Sequence, residues 1–596
     1  MKAKSFFSNG AASSFELIVH AIGANYRLLT LTSMNDQPSF FRFWILIGVA
    51  ALASSVTMQA QVEGREMDEI GKHKDVGKIL TAQFPPGSRH ELVQVPMRDG
   101  VKLATSVFIP PGADRRPVVF ARGYYGRLAT TAYSRGAQDG GFVYVTQDAR
   151  GVFDSGGEGA ARGTEPVFEL NDSADSLEWI AAQPWCNGRI VMTGASGNGV
   201  GPSAAYFTKS PHLAAAMPSI SSANPYYYWG FDNGVRRGFY RWMKFIGVST
   251  DVWPKPTLSS FDEGKMRAMM SAAAVNNPAI LTLSTGWYDL GSEAVLDAFS
   301  AFAKDGRVFA RIGPNAHTGS PQFPWPSPRV PRESVPMPKL LDVVAGKLPT
   351  AKSQLTYYLL GNFRDASSPG NRYKVTDVWP VPHTPVRWYL HADGGLATEK
   401  PAQAEGTMGF AYDPRDPAPT HGGNFTTGGE AGPHDQRPLK NRKDVVRFIG
   451  EPLAAPLEIT GKLRAELYVS TDVPDTQFVV KVIDIHPDGY EMLIRESAIM
   501  GRSAEEFKGK PSPLEKGTVY QLKLDLWSTA IVLDKGHRLG VLVTSSSASS
   551  YEVHPNSFVP VMSYDKSPVA HQTIHASASH SSCIIVPVVT PAEQNP

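Results

Sequence analysis

Short apolar runs alternate with segments of helical periodicity between residues 90 and 320 of this 596-residue chain. Runs of this length, bounded by turn residues, are typical of strands buried in a parallel sheet. We expect an amphipathic helix near residues 293–303. Strands that alternate with helices in this way predict an α/β fold with an open sheet. The strands are expected at residues 117–121, 142–146, 189–193, 213–220, 279–284 and 307–312.

Turn and cap signals suggest where some of these elements begin and end. The dipeptide Asp-Gly at residues 99–100 separates two β-rich runs, which predicts a hairpin. Asn171 or Asp172 is expected to cap a helix, and Pro184 is expected to stop it.

The pattern changes beyond a proline-rich stretch at residues 314–338, which favours an extended tether. After Ser353 the chain consists of β-rich runs separated by Asp, Gly and Pro turns, which predicts an all-β sandwich. We therefore expect an amino-terminal extension over residues 1–60, an α/β domain over 85–222 and 278–320, an aromatic-rich helical insertion over 223–277, a tether over 321–350 and a β domain over 351–590.

One apolar run has the features of an export signal. Residues 43–53 (FWILIGVAALA) are about half as long as a membrane-spanning helix requires, so we expect no stable span. Small residues follow the run, and cleavage is expected after Ala60 or after Ser54. A start at Met34 would give a signal peptide of ordinary length, so we expect residues 1–33 to come from an over-extended start assignment. The mature protein would then be exported, either periplasmic or secreted. The alternative is an uncleaved signal anchor.

Charge and cysteine content exclude several classes of protein. The chain has 58 Lys and Arg against 56 Asp and Glu, a net charge of +2. A protein that neutralises nucleic-acid phosphates would show a basic excess or stripe, so we expect no nucleic-acid partner. Cys186 and Cys583 could form one disulfide, although two buried thiols are favoured. We expect no cofactor, because no metal cluster, phosphate-binding loop or dinucleotide fingerprint has the required spacing.

The segment around Ser196 carries the strongest chemical signal. It follows the apolar run at residues 189–193, and small residues surround it in the sequence Gly-Ala-Ser-Gly-Asn-Gly. A nucleophilic serine at a sharp strand-to-helix turn needs such neighbours, because the backbone is strained there. The pattern departs from G-x-S-x-G, since Asn198 takes the place of the last glycine. Two other Gly-x-Ser sites, at Ser249 and Ser503, lack an apolar strand directly before them.

A nucleophilic serine needs a base, and the base needs an orienting carboxylate. Asp289 follows the predicted strand at residues 279–284, and His317 follows the one at residues 307–312. The order serine, acid, histidine, with each residue at a strand end, is that of an α/β hydrolase. The simpler roles are a turn or helix cap for Asp289 and a structural contact for His317.

The chain resembles the bacterial cocaine esterase and X-prolyl dipeptidyl-peptidase family of serine hydrolases. The resemblance covers most of the chain after residue 90. It rests on motifs at residues 147–158 (QDARGVFDSGGE), 183–199 (QPWCNGRIVMTGASGNG), 286–289 (GWYD), 313–317 (GPNAH) and 413–424 (DPRDPAPTHGGN), and on the stretch HRLGVLVTSSS from His537.

This resemblance implies roles for individual residues. Ser196 would be the nucleophile, His317 the general base and later acid, and Asp289 the group that fixes the imidazole tautomer. The oxyanion hole would consist of a tyrosine hydroxyl, Tyr125 with Tyr124 as the alternative, and the amide of Gly197. The β domain would be a jelly roll packed beside the cleft, with carbohydrate binding as the competing role for such a sandwich.

Aromatic residues in the 223–277 insertion could form the walls of an acyl or aryl pocket in a cap over the nucleophile, although many of them would instead form the core of the cap. The pocket candidates are Tyr228, Trp229, Phe239 and Trp242 in this insertion, together with Trp287 near Asp289.

The loop that follows residues 142–146 contains three charged residues, Asp148, Arg150 and Asp154. We interpret them as a structural network, since arginine can bind carboxylates bidentately.

The acidic residues near Asp289 bear on the choice of substrate. The α-amino ester hydrolases that the chain resembles have acids two and three positions after the catalytic aspartate, where this chain has Gly291 and Ser292. The next acid is Glu293, and Asp232 could supply only one further charge. We therefore expect a small-molecule ester of an uncharged acyl group as substrate. A dipeptidyl peptidase or an amide acylase is the alternative, and a binding module on an inactive scaffold is the non-enzyme hypothesis.

Overall fold

The computed structural model of the protein describes residues 84–112, 114–127, 139, 141–157, 166–221, 230–238, 275–317, 323, 325, 337–349, 352–424, 431–558 and 567–590. The predicted export signal, most of the insertion at residues 223–277 and half of the tether at residues 321–350 lie outside the described residues. Elements are numbered within the described residues.

Twelve strands lie in the described residues up to Thr376, and ten of them form one sheet. The sheet order is β1-β2-β4-β3-β5-β6-β9-β10-β11-β12, while β7 and β8 pair as a separate hairpin. The strands are β1 (Arg89–Pro96), β2 (Lys102–Ile109), β3 (Arg116–Gly123), β4 (Val143–Asp148), β5 (Cys186–Ala195), β6 (Leu213–Ser219), β7 (Phe231–Asp232), β8 (Val235–Arg236), β9 (Ile280–Tyr288), β10 (Arg307–Ala316), β11 (Gln354–Leu359) and β12 (Arg372–Thr376).

The centre of this sheet is parallel and its edges are antiparallel. All neighbours from β4 to β11 pair in parallel, whereas β1, β2 and β12 run antiparallel to their neighbours. The apolar runs lie in the parallel strands, where both faces are buried. The predicted open α/β sheet and the hairpin around residues 99–100 are therefore confirmed.

Four helices lie in the described part of the chain, and one of them begins earlier than predicted. Helix α1 starts at Pro166, so the prediction that Asn171 or Asp172 caps it is wrong. Both side chains make tertiary contacts instead: Asn171 accepts a hydrogen bond from Arg98, and Asp172 pairs with Arg150. The helices are α1 (Pro166–Ala181), α2 (Val200–Phe207), α3 (Ser292–Phe302) and α4 (Leu340–Val344).

The described residues from Thr384 onward form eleven strands in a second sheet, which confirms the predicted all-β character of the carboxy-terminal part. The sheet order is β15-β22-β17-β23-β13-β14-β16-β21-β18-β19, and β20 pairs with the long strand β17. The strands are β13 (Thr384–Leu390), β14 (Gly395–Ala397), β15 (Thr407–Tyr412), β16 (Val445–Gly450), β17 (Leu457–Thr471), β18 (Gln477–Ile485), β19 (Glu491–Met500), β20 (Tyr520–Leu533), β21 (Arg538–Thr544), β22 (Ala570–His575) and β23 (Cys583–Val588).

The first sheet continues past the predicted domain boundary near residue 350. Strands β11 and β12 follow that boundary, yet they extend the first sheet beyond β10. Helix α4 lies within the predicted extended tether, and the Arg189 side chain donates to the carbonyl of Val343 at 2.8 Å. One hydrophobic core contains residues of both sheets, including Phe120 and Ile190 from the first and Leu467 and Val541 from the second.

Within the part of the chain that the structure describes, no helix combines the length and the apolar character needed to cross a bilayer. Cys186 and Cys583 are both buried and free, which confirms the interpretation as two separate thiols.

Candidate active site

Ser196 lies at a tight turn between a central strand and a helix. Strand β5 ends at Ala195, Ser196 begins a single 3-10 turn, and α2 follows from Val200. The backbone of Ser196 has a φ of 55°, in the left-handed region that costs a non-glycine residue roughly 1–2 kcal/mol. The surrounding sheet and helix hold the serine in this strained conformation, which directs its hydroxyl away from the strand.

The small residues around Ser196 are required by close approaches of the backbone. A Cβ atom on Gly194 would overlap the carbonyl of Asn198, and one on Gly199 would overlap the side chain of Ser221. A Cβ atom on Gly197 would lie 2.5 Å from the hydroxyl of Tyr125. The glycines therefore allow both the turn and the approach of Tyr125.

Asn198, which departs from the usual serine motif, has a contact that the sequence did not reveal. Its Oδ1 accepts a hydrogen bond from the backbone amide of Tyr124 at 3.1 Å. Gly123 makes room for this side chain, because a Cβ atom there would overlap Asn198 Oδ1. Asn198 thus fixes the turn after β3 that carries the two tyrosines.

The structure brings Ser196, His317 and Asp289 into one hydrogen-bonded chain. Ser196 Oγ lies 2.8 Å from His317 Nε2, and His317 Nδ1 lies 2.8 Å from Asp289 Oδ1. Asp289 follows β9 and His317 follows β10, two parallel neighbours whose carboxyl ends meet at the same edge of the sheet. The three side chains have the spacing that a serine nucleophile, its base and an orienting carboxylate require.

The environment keeps Asp289 ionised. Its Oδ2 accepts a hydrogen bond from Thr285 Oγ1 at 2.6 Å, and its Oδ1 accepts one from the amide of Gly291 at 3.3 Å. Complete burial acts to raise the pKa of Asp289, but the charge of His317 and the hydrogen bonds outweigh it, so this pKa lies below its ordinary value.

His317 responds in the opposite direction. Burial acts to lower its pKa, but the negative charge of Asp289 and the hydrogen bond between them outweigh burial, so the pKa of His317 is raised above 6.5. The imidazolium form is therefore stabilised at the position where a base would receive the serine proton.

Tyr125 and Tyr124 have different surroundings. The hydroxyl of Tyr125 is hydrogen-bonded to the side chain of Ser196 and to the backbone of Gly197, and burial raises its pKa. The hydroxyl of Tyr124 donates to Glu169 Oε1 at 2.5 Å, and Glu169 also pairs with the buried guanidinium of Arg122. Tyr125 therefore lies beside Ser196, whereas Tyr124 is held in a separate network.

Trp287, a predicted pocket residue, is fully buried in this structure. Its Nε1 donates to the carbonyl of Tyr358 at 2.6 Å, and its ring contacts those of Tyr357 and Trp379. Since the side chain has no exposed surface, it packs in the core and does not line a pocket. The other pocket candidates, Tyr228, Trp229, Phe239 and Trp242, lie outside the described residues.

The carboxy-terminal domain supports the loop that carries Asp289. Arg495 of β19 is buried and donates to the carbonyls of Trp287 and, at 2.8 Å, of Ser528. The hydroxyl of Tyr288 donates to the carbonyl of Leu493 at 3.3 Å. This contact could not be predicted from the sequence, because no local pattern relates Arg495 to a loop about 200 residues earlier.

The two acids that could have bound a substrate amine are engaged elsewhere. Asp232 of the β7–β8 hairpin is buried and accepts hydrogen bonds from Trp527 Nε1 at 3.0 Å and from the hydroxyl of Tyr551 at 2.7 Å. Glu293 is buried, pairs with Lys462 at 3.2 Å and accepts a hydrogen bond from the amide of Ser528.

The charged loop after β4 is a structural network, as predicted. Arg150 binds Asp172 through two hydrogen bonds of 2.9 and 2.6 Å and pairs with Asp99 at 2.7 Å. Asp148 and Asp154 both pair with Arg127.

Comparisons with known proteins identify the family that the two parts of the chain resemble. Residues 99–276 match the X-Pro dipeptidyl-peptidase (S15 family) domain, and residues 350–585 match the X-Pro dipeptidyl-peptidase C-terminal non-catalytic domain. The cocaine esterase of Rhodococcus sp. (strain MB1 Bresler) is 27% identical over 585 residues, which cover 83% of this chain and 98% of that protein. The chain belongs to the cocaine esterase and X-prolyl dipeptidyl-peptidase family of serine hydrolases.

Two solved structures of this fold are of enzymes named for different activities. An α-amino acid ester hydrolase has a TM-score of 0.67 at 22% identity, and the match covers 84% of this chain and 97% of that one. An aminopeptidase from a marine sediment archaeon, Thaumarchaeota archaeon, has a TM-score of 0.68 at 22% identity with the same coverage. Both structures show that this chain has the same fold as these two enzymes.

Proposed function

We propose that this protein cleaves carboxylic esters through an acyl-enzyme intermediate, with Ser196 as the nucleophile, His317 as the base and Asp289 as the orienting acid. The observation that carries the proposal is the continuous chain of two 2.8 Å hydrogen bonds from Ser196 Oγ through both nitrogens of His317 to Asp289. The turn at Ser196 and the buried position of Asp289 support these roles.

We assign a protein group to each step of the reaction. Ser196 Oγ attacks the acyl carbonyl while His317 Nε2 takes the hydroxyl proton. The Tyr125 hydroxyl and the Gly197 amide, which lie beside Ser196, stabilise the oxyanion of the tetrahedral intermediate. His317 then gives its proton to the leaving alkoxide, and the alcohol departs. Water, deprotonated by His317, releases the acid and restores Ser196.

We propose an uncharged acyl group as the substrate class. An enzyme that selects a substrate amine needs carboxylates free to pair with the ammonium. Asp232 and Glu293 are buried and bonded to protein groups, so neither offers a carboxylate to such an amine. The similarity to the Rhodococcus cocaine esterase favours ester cleavage, whereas the matches to the two X-Pro dipeptidyl-peptidase domains make amide or X-Pro dipeptide cleavage the second candidate.

The substrate class can be tested by comparing kcat/KM for a nitrophenyl ester of an uncharged acid with kcat/KM for a glycyl-prolyl arylamide. We expect ester turnover that Ser196→Ala abolishes and that Ser512→Ala, which changes a half-buried serine whose hydroxyl donates to the carbonyl of Lys510, leaves unchanged. A preference for the arylamide would overturn the ester proposal in favour of the peptidase, and turnover of neither substrate would overturn both.

Two further features complete the proposal. We propose a jelly-roll arrangement for the carboxy-terminal strands, supported by the many non-sequential neighbours in their sheet, such as β22-β17-β23-β13. We propose export of the mature protein, supported by the apolar run at residues 43–53. Amino-terminal sequencing of protein purified from the native host tests export: a start near Gln61 is expected, and an intact Met34 or Met1 would contradict it.

A further inference from the structure

A buried cluster of side chains that can bind a metal lies in the carboxy-terminal domain. It shares no residue with the Ser196 group. It consists of Asp484, His486 and His537. Strands β18 and β21 pair antiparallel, with Asp484 opposite Leu539 and Ile485 opposite Arg538. The next pair in this register is His486 and His537, whose ring centroids are 4.3 Å apart. The pairing of the two strands thus brings together residues that are distant in the sequence.

The ligand atoms are close enough to share one ion. His537 Nδ1 lies 2.9 Å from both oxygens of Asp484, and His486 Nε2 lies 3.5 Å from Asp484 Oδ2. One ligand atom from each of the three residues lies within 4.8 Å of the others. Ligands bound tetrahedrally to Zn²⁺ at about 2.0–2.1 Å are separated by about 3.3 Å. The cluster needs only small side-chain adjustments to reach that spacing.

One ring nitrogen of His486 is buried without a hydrogen bond in the described part of the chain. The residue is only 4% exposed, and its Nε2 has no hydrogen-bond partner among the described residues. A buried polar atom left without a partner is costly, and such atoms call for a bound group.

The charges around the cluster are mixed. Asp534 and Asp488 act electrostatically on His537, while Arg364, which pairs with Asp488 at 2.7 Å, acts with the opposite sign on His486. With one carboxylate among its ligands, a bound divalent ion would keep a net charge of about +1.

We propose that Asp484, His486 and His537 bind one divalent transition-metal ion of the Zn²⁺ class. Two imidazoles and a carboxylate favour Zn²⁺ over Ca²⁺ or Mg²⁺, which prefer oxygen ligands. When the ion binds, His537 Nδ1 releases its proton to solvent, and the ion occupies the position of that proton beside Asp484. The ion would join the end of β18 to the start of β21 and would stabilise the domain. No metal was expected from the sequence, because the two histidines are 51 positions apart along the chain.

The experiment uses the full protein, prepared without a polyhistidine tag and stripped with a chelator. Binding of Zn²⁺ is measured by calorimetry, and the melting temperature Tm is measured with and without Zn²⁺, with Ca²⁺ as a comparison ion. His486→Phe removes the ligand atom but keeps an aromatic ring beside Tyr490. His571→Phe is the control, because His571 also pairs with an aspartate, Asp472, but is exposed.

We expect the wild type and His571→Phe to bind one high-affinity equivalent of Zn²⁺. Their Tm should rise by about 3 °C at roughly a hundredfold excess of Zn²⁺ over its Kd. His486→Phe should lose this equivalent and its Tm shift while it keeps wild-type esterase activity, which shows that it is folded. The proposal is overturned if the wild type binds no Zn²⁺, if His486→Phe binds it as tightly as the wild type, or if Ca²⁺ gives the same shift.

Discussion

Arg495, on a strand of the carboxy-terminal domain, donates a hydrogen bond to the backbone carbonyl of Trp287, two residues before Asp289. Its guanidinium lies 5.5 Å from the ring centroids of both Trp287 and Tyr288. Burial lowers the pKa of Arg495 to about 10, which still leaves it charged at neutral pH. The second domain therefore fixes the loop that carries the proposed catalytic acid, and we infer that Arg495 is a positioning residue.

Arg495→Lys tests this inference, because lysine cannot reproduce the two directed hydrogen bonds to Trp287 and Ser528. We expect kcat to fall between about 10- and 100-fold with little change in KM. The acid limb of the pH profile should also move to lower pH, since a displaced Asp289 raises the pKa of His317 less. Arg387→Lys, at an exposed pair with Glu466 in the same domain, is the control and should change neither quantity. A lower Tm with no change in kcat or in the pH profile would show that Arg495 has a purely structural role.

The two neighbouring tyrosines should give different kinetic effects. Tyr125→Phe removes a hydroxyl that contacts Ser196 and Gly197, and the loss of one oxyanion donor costs about 10²–10³ in kcat. Tyr124→Phe removes only the hydrogen bond to Glu169, so its main effect should be on the free energy of unfolding. Steady-state kinetics with one ester substrate compare the variants directly. A larger loss of kcat in Tyr124→Phe than in Tyr125→Phe would mean that the oxyanion donor is assigned to the wrong residue.

The pH dependence follows from the environment of His317. The proposed base must be neutral to accept the serine proton, and Asp289 raises its pKa above 6.5. We therefore expect kcat/KM to fall as the pH is lowered, with a midpoint above about 6.5. In Asp289→Asn the charge that raises this pKa is absent, so the midpoint should move to lower pH and kcat should drop by about 10⁴. A flat profile between about pH 5 and 8 would rule out His317 as the base.

The turn at Ser196 should tolerate no side chain at Gly194. Gly194→Ala would force its methyl group into the carbonyl of Asn198, so we expect loss of both stability and ester turnover. Gly141→Ala is the matched control, because a Cβ atom there meets nothing within 4 Å. Thermal unfolding and kinetics of the two variants give the comparison. Wild-type activity in Gly194→Ala would show that the strained turn is not needed.

The sequence predicted those features that are encoded locally. The parallel strands were predictable because each is a short apolar run bounded by turn residues, and Ser196, Asp289 and His317 could be selected because each directly follows such a run. The start of α1 was missed, since Asn171 and Asp172 have the residue types of caps but bind distant arginines.

Features that depend on tertiary contacts could not be predicted. A buried β-rich run such as β11 fits either sheet, so its position beside β10 was not evident from the sequence. Trp287 was expected to line a pocket, because an aromatic residue next to a proposed catalytic acid has the same local pattern whether it faces substrate or core. The hydrogen bond from Tyr124 to Asn198 and that from Arg495 to Trp287 join residues remote in sequence.

The most direct test of the proposed function is covalent labelling of the protein with a fluorophosphonate, followed by intact mass measurement and peptide mapping. A serine activated by a neighbouring imidazole reacts with such a reagent, whereas ordinary serines do not. We predict one adduct per chain, located on Ser196 and absent in Ser196→Ala. No adduct on the folded wild-type protein, or an equal adduct in Ser196→Ala, would contradict the assignment of Ser196 as the nucleophile.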